Sequence, residues 1–161
     1  VFEKEVGLRN FTDRGTPIHG LVSDSLLMSI FHPTSPLHDG AVILGRKGDL
    51  VAAKCILPVS MNQNLSTRLG TRHRAALGLT EETDAVVLIV SEERKEISLG
   101  FKGPLLRESE VALKQMLFSL LSGKTTSIKT KKSPAEEDIL LDDSLSIGRT
   151  EESSPNSAAT S

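Results

Sequence analysis

The chain has 161 residues, a single cysteine and a formal net charge of −2. This length fits one domain, or one domain with a tail. One cysteine excludes an internal disulfide framework and any zinc site built from several thiolates, and it fits a reducing compartment. The near-neutral charge does not favour a basic nucleic-acid binder. Because no run of about 18 apolar residues and no signal-peptide pattern is present, we expect a soluble chain, and Val1 suggests a fragment.

The composition changes near residue 123. Residues 123–161 contain five basic, seven acidic and thirteen Ser or Thr residues and no aromatic residue. Such a segment buries too little apolar surface to offset its ordering entropy, so we predict a disordered tail. Within it, Ile139-Leu140-Leu141 lies in an acidic stretch and is either a docking motif or part of a solvated linker. The remaining 1–122 segment, with equal numbers of acidic and basic residues, is predicted to be the domain.

The first half of this domain shows one helix and one hairpin. Ser23 is a good N-cap for a helix that Pro33 stops. The predicted apolar face of this helix contains Leu26, Leu27, Ile30 and Phe31. Residues 41–44 and 51–57 are apolar and flank a turn at 46–49, a pattern that predicts a β-hairpin.

The second half predicts two strands and a closing helix. The continuous β-branched run at 85–90 is typical of a strand covered on both faces. Ile97, Leu99 and Phe101 alternate, as in a half-buried strand. The closing helix has apolar residues at helical spacing, namely Leu113, Met116, Leu117, Leu120 and Leu121. We therefore predict an α/β domain with a central mixed β-sheet flanked by helices, followed by the disordered tail.

The segment from Gly70 to Leu79 has the most unusual charge pattern. Its apolar spacing predicts a helix that begins near Thr71, as N-cap, and has Gly78 near its end. Arg72, His73 and Arg74 then fall in the first turn, where a cation is disfavoured by about 0.3–1 kcal/mol. The pattern becomes favourable if an anion such as phosphate binds to the free N–H groups and guanidinium groups. A solvated turn with local ion pairs remains the alternative.

A second candidate segment lies just before the predicted strand at 41–44. Gly40 permits close approach of a ligand to the backbone. His38 and Asp39 are residue types that bind a metal ion or accept a proton from a hydroxyl. The alternative is an Asp-Gly turn beside a surface histidine.

A third segment, Ser91-Glu92-Glu93, follows the predicted buried strand, and ligands of α/β sheets gather beyond the carboxyl ends of strands. If strands 41–45 and 85–90 are antiparallel, Asp39 and Glu93 meet at one edge of the sheet. Two carboxylates beside an arginine-rich helix start indicate a metal-assisted nucleotide site. A simple charged turn is the alternative.

Taken in order, L-H-D-G-A-V-I-L, G-T-R-H-R-A-A-L-G and V-L-I-V-S-E-E resemble the catalytic domain of bacterial diadenylate cyclases, most closely the membrane-anchored CdaA type. The resemblance covers residues 1–121 and includes the E-x-E-V-G-L, G-T-P-I and I-L-P-V-S segments. An ordered set of motifs is much more specific than any one of them. It implies condensation of two ATP molecules into the bacterial second messenger cyclic di-AMP, with release of pyrophosphate.

The resemblance also implies roles for individual residues. Asp39 would activate the ribose 3′-hydroxyl, and Arg72, His73 and Arg74 would hold the triphosphate together with Thr71. His38 and Glu93 would bind Mn²⁺ or Mg²⁺, with Co²⁺ as a further candidate. The other implied ATP contacts are Gly40, which also counts among the catalytic residues, Ala41, Leu57, Gly70 and Ser91.

The resemblance further implies a homodimer, stable or transient, with two sites face to face. It implies a cytoplasmic domain tethered to the inner face of the cell membrane by segments before Val1. Two departures concern adenine binding: Ile56 replaces the usual Tyr before Leu57, and Phe11 replaces another Tyr. A non-catalytic nucleotide sensor of the same fold is the main alternative. An RNA-binding module is disfavoured by the neutral core and the absence of Tyr and Trp.

Overall fold

The computed structural model describes residues 1–62, 65, 69–91 and 95–123. Nearly all of the predicted tail therefore lies outside the described residues, as does Glu92-Glu93-Arg94. The helices are α1 (Arg9–Thr12), α2 (Asp24–Ile30), α3 (Thr71–Glu82) and α4 (Glu110–Leu121). The strands are β1 (Thr16–Leu21), β2 (Ala41–Leu44), β3 (Asp49–Cys55), β4 (Val87–Val90), β5 (Ile97–Gly100) and β6 (Leu105–Leu106).

The predicted hairpin is confirmed by β2 and β3, which pair antiparallel with Ala41 opposite Cys55. On the other side of β3 lies β1, so the order of this sheet is β1-β3-β2. Sequence patterns did not predict β1, because Pro17 and Gly20 interrupt its strand signal. Pro17 is accommodated because β1 is an edge strand.

A second sheet contains β4, β5 and β6, all antiparallel, and Phe2 connects the two sheets. Phe2 forms a parallel bridge with Leu44 at the end of β2 and an antiparallel bridge with Val86 just before β4. The α/β class is thus confirmed, and among the described residues parallel pairing is confined to this bridge. Because Phe2 is parallel to β2 and antiparallel to β4, β2 and β4 run in opposite directions.

The predicted helix before Pro33 and the predicted closing helix are also confirmed. In α2, the Ser23 hydroxyl accepts a hydrogen bond of 3.2 Å from the Leu26 N–H. In α4, Ser109 caps the first turn and Leu113 is buried in a cluster with Val86 and Leu99. No helix within the described ranges has the length and apolar character needed to cross a membrane.

The structure corrects three details of the sequence predictions. Gly70, and not Thr71, is the N-cap of α3, and it provides no side-chain hydrogen bond. Gly78 lies within α3, which continues to Glu82. The strand β4 is covered on one face only: Val87 and Ile89 are buried, whereas Leu88 and Val90 on the other face are exposed, because α4 packs at Val86 and Leu99.

Candidate functional site

The strand directions bring the three candidate segments to the same edge of the sheet, which is formed by strand ends and not by an edge strand. The strand β2 begins at this edge, β3 ends there opposite Ala41, and the antiparallel β4 ends there as well. Helix α3 packs against β4 and leads into it through the short connection 83–86, so the start of α3 lies towards the end of β4. The segments 38–41, 70–74 and the residue after β4 therefore share this edge.

Asp39 and Gly40 lie immediately before β2, and both are exposed. Gly40 has φ of +131°, a conformation that an L-residue rarely adopts. A Cβ atom at Gly40 would lie 2.8 Å from the carbonyl carbon of Lys54 and 2.9 Å from its Cα, so a side chain cannot fit on that side. The backbone of Gly40 thus packs directly on β3 and leaves the carboxyl group of Asp39 at the surface.

The orientation of His38 is set by a main-chain contact. Its Nδ1 atom lies 2.6 Å from the carbonyl oxygen of Ser35. Since a carbonyl oxygen only accepts, Nδ1 carries the proton and donates it to Ser35, which leaves Nε2 with a free lone pair. Metal-binding histidines are oriented by this type of contact. His38 therefore has the tautomer that a metal ligand requires.

The start of α3 has no negative charge of its own. Its N-cap is Gly70, and its first turn contains no acidic residue. Arg72 is exposed and Arg74 is half-buried, and in the described part of the chain Arg74 forms no ion pair. His73, between them, is buried at 9% exposure and lies on the core side of the helix. This helix start combines backbone N–H groups with two guanidinium groups and is suited to bind an anion.

The loop after β3 connects β3, on which Gly40 packs, with the 70–74 segment at the start of α3. The backbone N–H of Ser60 donates a hydrogen bond of 3.0 Å to the carbonyl of Arg74, and the Ser60 hydroxyl donates to Glu81 at 2.8 Å. A Cβ atom at Gly78 would overlap the Pro58 carbonyl oxygen and lie 2.8 Å from the Ser60 nitrogen. The loop therefore packs against α3 where only glycine fits. The I-L-P-V-S segment resembles the family, but its sequence alone indicates no role for Ser60.

Two residues of this loop face different environments. Leu57 is half-buried and packs against the main core cluster, while the neighbouring Ile56 side chain is 70% exposed. Cys55, at the end of β3, is buried, and burial raises the pKa of its thiol. Cys55 is thus a small core residue, while Ile56 is an apolar side chain open to a ligand.

Ser91 follows β4 and is joined by main-chain hydrogen bonds to the residues before β5. Its N–H donates to the carbonyl of Glu96 at 2.8 Å, and its own carbonyl accepts from the Lys95 N–H at 2.9 Å. Glu93 lies outside the described residues. Among those that are described, no three His, Cys, Asp or Glu side chains group together as a metal site would require. The pairing of Glu93 with His38 therefore remains a prediction.

Comparison with known proteins identifies a family. Residues 1–105 match the DAC family, described as DisA bacterial checkpoint controller nucleotide-binding. The chain is 47% identical over 116 residues to the cyclic di-AMP synthase CdaA of Bacillus subtilis, covering 71% of this chain and 42% of that protein. It is 42% identical over 132 residues to a diadenylate cyclase of Listeria monocytogenes, covering 80% of this chain and 48% of the relative.

Solved structures agree with this result. A double cysteine mutant of DacA from Staphylococcus aureus superposes with a TM-score of 0.69 at 42% identity, covering 73% of this chain and 78% of that one. A Bacillus cereus protein described as a hypothetical membrane spanning protein superposes with a TM-score of 0.63 at 40% identity, covering 67% and 52%. The chain spans about half the length of the curated relatives it matches.

Proposed function

Because this chain belongs to the DAC family of nucleotide-binding domains, we propose that it is a diadenylate cyclase that condenses two ATP molecules into cyclic di-AMP. The observation that supports this most directly is the shared sheet edge of the three segments. A phosphate-binding helix start, a carboxylate beside a glycine and the turn after β4 are the parts that a nucleotidyl transfer site needs.

The start of α3 is proposed to hold the triphosphate. Arg72 and Arg74 supply charge-assisted hydrogen bonds to phosphate oxygens, and Thr71 adds its hydroxyl. The Gly70 cap leaves room for phosphate beside the backbone N–H groups of the first turn. His73, which the resemblance implies as a third triphosphate contact, is buried, and we propose that it acts by packing within α3. Ser91 is proposed as a further phosphate contact.

Asp39 is proposed to accept the proton of the ribose 3′-hydroxyl. The hydroxyl oxygen then attacks the α-phosphorus of the other ATP, the new P–O bond forms in line, and the bond to pyrophosphate breaks. Two such attacks close the ring and release two pyrophosphate molecules. Support comes from the surface position of Asp39, which the packing of Gly40 on β3 holds in place. Ala41 and the Leu57 backbone complete the proposed nucleotide contacts.

A divalent cation, Mn²⁺ or Mg²⁺, is proposed to bind at Nε2 of His38 and at Glu93. When bound, it supplies neutralisation of the negative charge that develops on the phosphates. The support from this chain is the Nδ1–H contact with Ser35, which leaves Nε2 available.

The reaction requires two copies of the domain. Each site contains one Asp39 and one arginine pair, whereas the product contains two phosphodiester bonds made by reciprocal attack. A two-fold arrangement of identical sites satisfies this symmetry. We therefore propose a face-to-face homodimer, which forms at least transiently during catalysis. We also propose that the full-length protein is held at the cytoplasmic face of the membrane, as the description of the Bacillus cereus relative suggests for that protein.

The test is product identification. The purified chain is incubated with ATP and Mn²⁺ or Mg²⁺, and the nucleotides are separated and identified by mass spectrometry. We expect cyclic di-AMP, with two pyrophosphate molecules released for each molecule of cyclic di-AMP. Binding of ATP without any dinucleotide, linear or cyclic, would contradict the proposal and would favour a nucleotide sensor of the same fold.

A further inference from the structure

Lys54, near the end of β3, has a backbone conformation that is unusual for lysine. Its φ is +55°, in the left-handed region. This region is disfavoured for L-residues because Cβ crowds the carbonyl oxygen, and Gly, Asn and Asp occupy it most often. Uncommon backbone conformations of this kind cluster at binding and catalytic sites. Lys54 therefore requires an explanation beyond the pairing of β2 and β3.

The unusual conformation belongs to a β-bulge. Ala41 pairs with Cys55, but Ile43 pairs with Ala52, so the register shifts between these two pairs. The neighbours of Lys54 in β3, Ala53 and Cys55, are both buried, whereas the side chain of Lys54 in the bulge is exposed. Bulges re-aim side chains in this way next to active sites.

The bulge lies against the candidate site. The closest atoms to a Cβ at Gly40 would be the carbonyl carbon and Cα of Lys54, at 2.8 and 2.9 Å. The long, flexible side chain of Lys54 thus starts beside the residue that follows Asp39. Its ammonium group forms no ion pair or hydrogen bond with any side chain in the described ranges, and Asp39 likewise has none there.

We propose that Lys54 is a phosphate-binding residue, which contacts the nucleotide from the β3 side while Arg72 and Arg74 contact it from the start of α3. This inference rests on the proposed function, because it places the same nucleotide in the same site. An ammonium group is a mobile point charge on a flexible stem, and polyphosphate is the anion that this site is proposed to bind. In the bulge this charge is exposed, on a residue whose backbone packs against Gly40 of the same site.

The test measures binding of a non-hydrolysable ATP analogue, with a methylene group between the α- and β-phosphates, by isothermal titration calorimetry at low and high salt. Lys54→Gly and Lys54→Gln both remove the charge, and the glycine variant also suits the left-handed backbone. Lys54→Arg keeps the charge. We expect about fivefold weaker binding for the Gly and Gln variants, with a smaller salt dependence, and binding within about twofold of wild type for the Arg variant.

A matched control separates backbone conformation from charge. His19 in β1 also has a left-handed φ, of +50°, and is exposed and outside the site. His19→Gly should leave the affinity for the analogue unchanged. The melting temperature of Lys54→Gly should be no lower than that of wild type, since glycine relieves the backbone strain.

Three results would overturn the proposal. If Lys54→Gly and Lys54→Gln bind the analogue as tightly as wild type, Lys54 does not contact the nucleotide. If Lys54→Arg loses as much affinity as Lys54→Gln, the residue acts through shape and not through charge. Failure of the proposed function can be distinguished from failure of the Lys54 proposal. In that case wild type would bind the analogue but make no dinucleotide from ATP. If wild type does not bind the analogue, both proposals fail.

Discussion

The backbone N–H of Ser60 donates a hydrogen bond of 3.0 Å to the carbonyl oxygen of Arg74. This bond joins the loop after β3 to the first turn of α3, and the Ser60 hydroxyl strengthens the junction through Glu81. The loop begins at the strand end that packs on Gly40. Main-chain contacts thus connect the Asp39 segment with the arginine segment, and the side chain of Arg74 forms no ion pair with any residue that the structure describes.

Arg74→Ala should therefore reduce activity without weakening the free domain. Loss of a charge-assisted hydrogen bond to phosphate is expected to lower kcat/KM by at least about tenfold. The free energy of unfolding without ligand should stay within about 0.5 kcal/mol of wild type, or rise slightly, because a cation at a helix start is unfavourable. Steady-state kinetics and chemical denaturation check the two effects. Lys47→Ala, in the exposed β2–β3 turn, is the control. A clear loss of stability in Arg74→Ala would show that this arginine stabilises the fold.

Asp39→Asn should abolish dinucleotide formation but leave nucleotide binding largely intact. The amide keeps the size of the carboxyl group and cannot accept the 3′-hydroxyl proton. We expect activity to fall by at least about 100-fold, which is the lower end of the contribution of general bases, with the affinity for the methylene ATP analogue within about threefold. Parallel losses of affinity and activity would identify Asp39 as a binding residue instead.

The metal site can be tested by comparing two adjacent glutamates. Successive residues leaving a strand point to opposite sides, so only one of Glu92 and Glu93 is expected to face the site. Glu93→Gln and His38→Gln should raise the Mn²⁺ concentration needed for half-maximal activity, and chelation by EDTA should abolish wild-type activity. Electron paramagnetic resonance of Mn²⁺ measures binding independently of turnover. Equal effects of Glu92→Gln and Glu93→Gln would contradict the assignment.

Asp84 stabilises the N-terminal segment that bridges the sheets. Its carboxylate accepts hydrogen bonds from the N–H groups of Glu5 at 3.1 Å and Val6 at 2.9 Å. Partial burial raises the pKa of Asp84, but the N–H groups of Val6 and Glu5 outweigh this and hold it below its usual value. Because the folded-state pKa is lowered, the stabilisation is present above the unfolded pKa of about 3.9 and is lost as the pH falls through the folded value.

Asp84→Ala should accordingly lower the free energy of unfolding by about 1 kcal/mol at pH 7, and its difference from wild type should shrink below about pH 4. Urea denaturation at several pH values measures this. Asp13→Ala is the control, because Asp13 forms only an exposed ion pair with Arg9 and should change stability little. A difference between Asp84→Ala and wild type that is constant down to pH 2 would show that the carboxylate charge is not responsible.

Short sequence patterns predicted the elements whose local residue preferences agree with the way they pack in the fold. The Ser23 cap, the β2–β3 hairpin and the apolar face of α4 each follow from a pattern within about ten residues. The helix start at the arginine segment was also predicted, within one residue. The candidate residues of the site were recognised because three separated motifs occur in one order, which is information about a family and not about local energetics.

Other features depend on contacts that local patterns do not contain. Gly78 resembles a helix end in sequence, yet its function is to let α3 approach the loop at Pro58. The β4 strand is apolar throughout, but α4 packs at Val86 and Leu99, and Val90 is left exposed. The bulge at Lys54 arises from the pairing of β2 with β3, and nothing in the sequence around Lys54 indicates a left-handed residue.

The most direct test of the whole account is the rate of cyclic di-AMP formation as a function of chain concentration, at saturating ATP and Mn²⁺, with the product quantified by mass spectrometry. Two domains must meet for each product, so the account predicts that cyclic di-AMP forms and that the rate per chain rises with concentration until dimers predominate in analytical ultracentrifugation. Absence of cyclic di-AMP at every concentration would contradict the proposed function. A constant rate per chain, with only monomers throughout, would contradict the face-to-face mechanism.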